Sequence, residues 1–182
     1  YCFDTILAQM PIQVIEQPIA AIGVSDSMVC LGTSIHFFDL SIADSASKAW
    51  YWSFGNQTFS SVQDPVLTYA DTGYYDVILT LISAGQCADT TFASVQILPN
   101  PQIGLSPDTS VCAGIPVQLW ATGGTGYSWS PSAYLTQALD SFTTATVLQS
   151  TPFAVEVASS FGCTARDTVR VDTLPDPQTT VI

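Results

Sequence analysis

Cys87-Ala88-Asp89-Thr90-Thr91 has two relatives in the same chain, Cys2-Phe3-Asp4-Thr5-Ile6 and Cys163-Thr164-Ala165-Arg166-Asp167-Thr168-Val169. Each copy runs into an alternating segment and then a proline stop: Ile15-Glu16-Gln17-Pro18, Leu98-Pro99-Asn100-Pro101 and Leu174-Pro175-Asp176-Pro177. The three cysteines are 85 and then 76 residues apart, the length of one small β-sandwich. Proline offers no N–H to a sheet ladder, so each stop ends a strand and stiffens the connection to the next. The spacing predicts modules joined by short, semi-rigid linkers. Residues 1–17 read as the last strand of a preceding module. Residues 18–100 and 101–177 read as complete modules, and 178–182 as the start of the next linker or module. The chain opens at Tyr1, which fits a mature product or part of something longer.

Between these stops the pattern is that of strands. Trp50-Tyr51-Trp52-Ser53-Phe54 alternates aromatics at period two, and Tyr127-Ser128-Trp129 is its partner in the second module. Tyr75–Leu81 and Phe153–Val157 form another matched pair, and Thr33–Leu40 and Pro116–Thr122 a third. Gly55-Asn56, Asp64-Pro65, Asp71-Thr72-Gly73 and Gly123-Gly124 punctuate them as turns. About seven short strands per module, with no helical period, predict an all-β chain of tandem sandwiches in a linear array. Trp52 and Trp129 are expected in equivalent core positions.

Composition narrows the function. Hydrophobic residues make up 47% of the 182 and charged residues 10%, where a globular chain carries about a quarter charged. Fifteen acids face only Lys48, Arg166 and Arg170, for a net charge of −12. Such a chain has little with which to neutralise a phosphate backbone or anionic headgroups, which argues against nucleic acid and charged lipid as partners. The sequence contains neither a run of 18 apolar residues nor a signal-peptide pattern. Mean hydropathy is +0.34, which fits either apolar faces packed against neighbouring modules or chains or simply Ala- and Val-rich strands with Ser/Thr surfaces.

The five cysteines fit disulfides better than metal, because His36 is the sole histidine and no CxxC occurs. In each complete module one cysteine precedes the first long strand and one precedes the last. The expected bridges are therefore Cys30–Cys87 and Cys112–Cys163, with Cys2 unpaired here or paired upstream. Closing loops of this size stabilises a module by about 4 kcal/mol in the chain-entropy model. Bridges of this kind imply an oxidising, extracellular location.

No catalytic constellation is legible. His36 lies on an alternating strand between Ile35 and Phe37, and the acids are scattered over turns. The expectation is no enzyme and no cofactor. Clustered turn acids such as Asp71 with Asp76, or Asp39 with Asp44, could offer oxygen ligands to Ca²⁺, though they lack EF-hand spacing. Asn56-Gln57-Thr58 is a formal sequon set in a turn.

The first module resembles a PKD domain. The resemblance rests on Trp52-Ser53-Phe54-Gly55-Asn56, Asp64-Pro65-Val66-Leu67-Thr68-Tyr69 and Gly73-Tyr74-Tyr75-Asp76-Val77, in order over about residues 19–98. It departs at Asn56, where Asp is usual, and at Asp64, where Asn is commoner. The second module resembles the Ig-like repeats of very large Bacteroidota surface proteins, through Val111-Cys112-Ala113-Gly114, Tyr127-Ser128-Trp129-Ser130-Pro131 and Gly162-Cys163-Thr164. In that group such arrays serve gliding and adhesion. The resemblance implies a structural or adhesive surface segment, a stalk or filament whose partners are neighbouring modules, copies of itself or surface glycans. It also implies O-glycosylation at Asp-Ser/Thr steps: Thr5, Ser27, Ser45, Thr90 and Thr168. The alternative is an accessory spacer or polysaccharide-binding region of a secreted hydrolase, which would show outward aromatics. Tyr51, with Trp50 and Trp52 turned to the core, and Trp120 are the candidates.

Overall fold

A computed structural model describes residues 17–43, 48–83 and 85–175. The segments 1–17 and 178–182, read above as parts of neighbouring modules, lie outside these residues except for Gln17. The described chain divides into two compact units. One holds the residues up to Met28, Thr33–Tyr69 and Gly73–Gln96; the other holds Val29–Gly32, Ala70–Thr72 and the residues from Ile97 onward.

The strands of the first half form two sheets. One has the order β1-β3-β6, from β1 (Ile22–Val24), β3 (Ser34–Asp39) and β6 (Val66–Thr68), all antiparallel. The other has the order β2-β8-β7-β4-β5, from β2 (Met28–Cys30), β8 (Ala88–Leu98), β7 (Gly73–Ser83), β4 (Lys48–Ser53) and β5 (Phe59–Ser60). Period-two alternation produces this burial directly. Along β3, Ile35 and Phe37 are buried while Ser34, His36 and Phe38 are exposed. Along β7, Val77, Leu79 and Leu81 turn inward.

The core of this unit is aromatic. Phe37, Trp52 and Phe54 pack with ring centroids 5.3–6.3 Å apart, and Trp52 and Phe54 lie within 3° of parallel. Tyr69 is buried, stacks on Tyr75 at 4.1 Å and donates its hydroxyl to Phe54 O at 3.0 Å. That burial, with Tyr75 beside it, pushes the Tyr69 phenol up to about 12. Gly55 sits at φ +77°, and a Cβ there would meet Asp76 O at 2.9 Å. The Phe54-Gly55 step thus needs glycine twice, for its backbone angle and for its closeness to β7.

The second unit repeats the plan. Its sheets have the orders β13-β11-β9 and β10-β15-β14-β12. The strands are β9 (Gly104–Leu105), β10 (Thr109–Cys112), β11 (Val117–Thr122), β12 (Gly126–Ser130), β13 (Phe142–Ala145), β14 (Thr151–Ala158) and β15 (Thr164–Leu174). A single 3₁₀ turn, Ser132–Tyr134, follows β12. Leu119, Ala121, Trp129, Ala145, Val147, Phe153, Val155, Val157, Val169 and Val171 form one continuous core. The strands of this unit pair antiparallel with one exception. β10 runs parallel to β15, placing Thr109 beside Val171 and Cys112 beside Leu174.

Trp52 and Trp129 are both buried, at 1% and 2% exposure. Each lies on the strand after the first long one and faces a buried aliphatic residue, Trp52 opposite Leu79 and Trp129 opposite Val155. Their indole nitrogens differ. Trp129 Nε1 donates to Asp140 O at 2.9 Å, whereas Trp52 Nε1 has no partner.

Candidate functional site

The cysteines depart from the sequence expectation. The disulfide present joins Cys30 to Cys163, with Cα atoms 5.5 Å apart and 133 residues between them in sequence; both cysteines belong to the second compact unit. Cys87 and Cys112 are free. The expected bridges Cys30–Cys87 and Cys112–Cys163 are absent for a reason of strand direction. Because β10 runs parallel to β15, Cys112 lies beside Leu174, at the far end of an 11-residue strand that Cys163 precedes. At about 3.3 Å per residue the separation is ~35 Å, against the ~7 Å that a disulfide can span. The same holds for Cys30. Gln96 N–H donates to Ser27 O and Leu31 N–H to Leu98 O, so β2 lies along the end of β8, while Cys87 stands before its start. Sequence order tells which strands the cysteines flank; it does not tell that flanking strands run the same way. Cys2 lies outside the described residues.

Two of the acidic residues named as candidate Ca²⁺ ligands, Asp39 and Asp76, hold backbone or side-chain groups of the fold. Asp39 ends β3: its Oδ2 accepts from Trp50 Nε1 at 2.7 Å and its Oδ1 from Ser41 N–H at 3.0 Å. Trp50 is half-buried, opposite Leu81, and not a fully buried core residue. Asp76 accepts from Ser94 Oγ at 2.5 Å. Asp64, of the Asp64-Pro65 landmark, accepts from Asp39 N–H at 2.9 Å. Asp44 lies outside the described residues. Among the described residues no group of three His, Cys, Asp or Glu side chains gathers as a metal site. His36 is exposed on β3 and stacks over Phe38 at 6.4 Å. Asn56 folds back to accept from Thr58 N–H and Oγ1, closing its own turn.

Of the Asp-Ser/Thr steps, Ser27, Thr90 and Thr168 are exposed, and Thr5 and Ser45 lie outside the described residues. The aspartates of two steps have local duties. Asp89 Oδ2 accepts from Ala20 N–H at 2.8 Å, and Asp167 Oδ1 from Thr168 N–H at 2.7 Å. The recurring Asp-Thr therefore has a structural use at the last strand whether or not it carries sugar.

One face stands out. On the outer side of the five-stranded sheet, Tyr51 lies opposite Thr80, and Ser53 lies opposite both Ile78 and Phe59. Thr80 and Thr90 share a hydrogen bond at 3.0 Å. Asp76, Ile78, Thr90, Thr91 and Phe92 line a shallow depression. Tyr51 is 56% exposed, Phe59 75% and Phe92 73%. Aromatic rings interleaved with hydroxyls make a flat amphipathic platform. Tyr51 is where the sequence suggests an outward aromatic. Sequence reasoning misses Phe59 and Phe92, although Phe92 alternates with Thr91 and Ala93 in a way that marks it. In the second unit, Trp120 is half-buried opposite the exposed Phe142. The ion pairs Arg166–Glu156 (2.6 Å) and Arg170–Asp172 (2.7 Å) are exposed, and Arg170 holds the Asp172 carboxyl below the usual range.

No helix among the described residues is long and apolar enough to cross a membrane. No curated protein matches this chain. Among solved structures, it is similar to the PKD1 domain of Vibrio anguillarum Epp (26% identity, TM-score 0.41, covering 46% of this chain and 96% of that one). It is also similar to the PKD1 domain of the Vibrio cholerae metalloprotease PrtV (23%, TM-score 0.40, 45% and 98%). A third is a C-terminal intimin fragment solved with the intimin-binding domain of its translocated receptor (16%, TM-score 0.49, 87% and 64%). The family model for the PKD domain matches residues 15–97, the stretch that holds the Trp52, Asp64 and Gly73 landmarks. Residues 15–97 of this chain carry a PKD domain.

Proposed function

We propose that this chain is a non-enzymatic structural and adhesive segment of a large extracellular bacterial surface protein, a stalk or filament built of repeated β-sandwich modules. Residues 18–100 and 101–177 are then consecutive modules, the first PKD and the second Ig-like. The observation that carries the reading is repetition: two units of one strand plan, with tryptophans in matching registers, Trp52 on Leu79 and Trp129 on Val155. A chain that repeats a rigid sandwich gains reach and contact area with each copy. The disulfide supports an oxidising, extracellular setting. Ser27, Thr90 and Thr168 are accessible for O-glycosylation in this reading. The test is antibody labelling of intact cells together with the reading of the flanking coding sequence. Surface label and many further modules support the proposal; a label seen only after lysis contradicts it.

The Tyr51–Phe59–Phe92 face favours a second reading, polysaccharide binding in an accessory region of a secreted hydrolase. Exposed rings and hydroxyls suit neutral sugar rings, and the net charge of −12 disfavours acidic glycans. Pull-down on insoluble neutral polysaccharides, lost in Tyr51→Ala and Phe92→Ala, supports this reading. Binding unchanged in both variants, or no binding at all, contradicts it.

A further inference from the structure

Cysteine occupies two kinds of place in this fold. Cys30 ends β2 and Cys112 ends β10, the short strands beside the last long strand of each sheet. Each is followed two residues on by a left-handed glycine, Gly32 at φ 90° and Gly114 at φ 79°. Cys87 and Cys163 stand immediately before β8 and β15, each behind a left-handed residue, Gln86 at φ 63° and Gly162 at φ 83°. The turns around the second kind carry the same two hydrogen bonds. Ser83 N–H donates to Cys87 O at 2.9 Å and Gln86 N–H to Ser83 O at 3.0 Å; Ser159 N–H donates to Cys163 O at 2.8 Å and Gly162 N–H to Ser159 O at 3.0 Å. The disulfide joins a cysteine of the first kind, Cys30, to one of the second kind, Cys163, taken from the following repeat of the sequence. One thiol of each kind is left: Cys112, exposed, and Cys87, half-buried.

We propose that Cys112 and Cys87 are half-sites of the same bond, each completed by an adjoining repeat. Cys112 takes the cysteine that precedes the last strand of a repeat further along the chain, and Cys87 takes the strand-end cysteine of a repeat before it. Two observations beyond the thiols support this. A bond between these two kinds of position already exists in the molecule. The stop after β15, Leu174-Pro175-Asp176-Pro177, also repeats the stop after β8, Leu98-Pro99-Asn100-Pro101, so the chain leaves both repeats through the same kind of linker. The consequence is a covalent ladder in which each bond ties one repeat to the next, and tension on the array is borne by disulfides as well as by backbone.

The chemistry is thiol–disulfide exchange with a disulfide oxidant such as oxidised glutathione. One cysteine thiolate attacks the oxidant and expels one thiol. The second cysteine thiolate then attacks the mixed disulfide and expels the other. The two cysteines lose two protons and two electrons in all, and the oxidant is reduced to two thiols.

The inference deepens the array reading and rests on it for the existence of adjoining repeats. A fusion supplies the repeat directly, so its failure condemns the bond and leaves the array reading to its own test. Residue 177 of one full chain is joined to residue 19 of a second, which aligns the proline stops, in a Cys2→Ser background. The fusion is equilibrated in a glutathione redox buffer. Thiols are then counted under denaturing conditions, and the Cys30–Cys163 peptide is mapped as proof of the native fold. The expected result is half the free thiols that two separate chains give, two rather than four, with a monomeric Cys112–Cys87 cross-linked peptide. Cys112→Ser in the first copy alone should remove that peptide and leave Cys30–Cys163 intact. Four free thiols in a fusion that retains Cys30–Cys163 overturn the proposal, as does a Cys112–Cys112 or Cys87–Cys87 product.

Discussion

The two units are built on one strand plan and filled differently. The first packs Phe37, Trp52, Phe54 and Tyr69 as an aromatic cluster, while the second surrounds Trp129 and Phe153 with valine, leucine and alanine. The first inserts β5 after its tryptophan strand, where the second has a 3₁₀ turn. Rings as large as these leave little freedom to neighbours, so the first unit needs its special residues: glycine at 55 where backbone meets backbone, and a tyrosine at 69 whose hydroxyl satisfies Phe54 O. The second unit, with its aliphatic core, makes its own demands on single positions: at Gly123 (φ +106°) a Cβ would run into Gln102 O, and at Gly124 into Ala158 O.

The contrast breaks or sharpens under substitution. Trp52→Ala and Trp129→Ala should each cost about 3–5 kcal/mol, the range for a buried aromatic, read by denaturant unfolding. Near-zero cost at either would show that the registers are not equivalent. Gly55→Ala should cost about 2–3 kcal/mol, because it adds a Cβ 2.9 Å from a backbone oxygen at φ +77°. Gly162→Ala, at φ +83° but with nothing within 4 Å, should cost only about 1 kcal/mol. Equal costs would mean that β7 yields to the intruding methyl.

Tyr69→Phe should cost about 1–3 kcal/mol by orphaning Phe54 O. It also removes a pH dependence. The phenol titrates near 10 when unfolded and at about 12 when folded. Its contribution is therefore complete below pH 10 and is lost as pH rises through 12. The wild type should lose more stability than Tyr69→Phe between those values, and parallel pH curves would contradict the burial. The smallest expected effect separates the two tryptophans. Trp129→Phe should cost about 1 kcal/mol more than Trp52→Phe, since only the Trp129 indole has a hydrogen bond to lose.

Much of the fold is legible in the sequence because period-two alternation writes burial into strands directly. It locates Trp52 and Trp129, and the strands expected at Thr33–Leu40, Tyr75–Leu81 and Phe153–Val157 appear at Ser34–Asp39, Gly73–Ser83 and Thr151–Ala158. The cysteine partners are not legible. Sequence order shows which strand a cysteine precedes, but a short strand that pairs in parallel puts it at the other end of its neighbour, and no local pattern marks that direction. The alternation that correctly turns Trp52 to the core turns Trp50 there as well; Trp50 is only half-buried, and its indole N–H donates to Asp39 at the end of β3. The exposed Phe59 and Phe92 escape notice because an aromatic on a strand reads first as core.

The parallel placement of β2 and β10 beside the last strands underlies both the repeat comparison and the cysteine pairing. Non-reducing peptide mapping of the purified, alkylated chain tests it most directly. The expected result is a Cys30–Cys163 cross-linked peptide, with Cys87 and Cys112 carrying the alkyl label. Cys30–Cys87 and Cys112–Cys163 peptides in its place would contradict it.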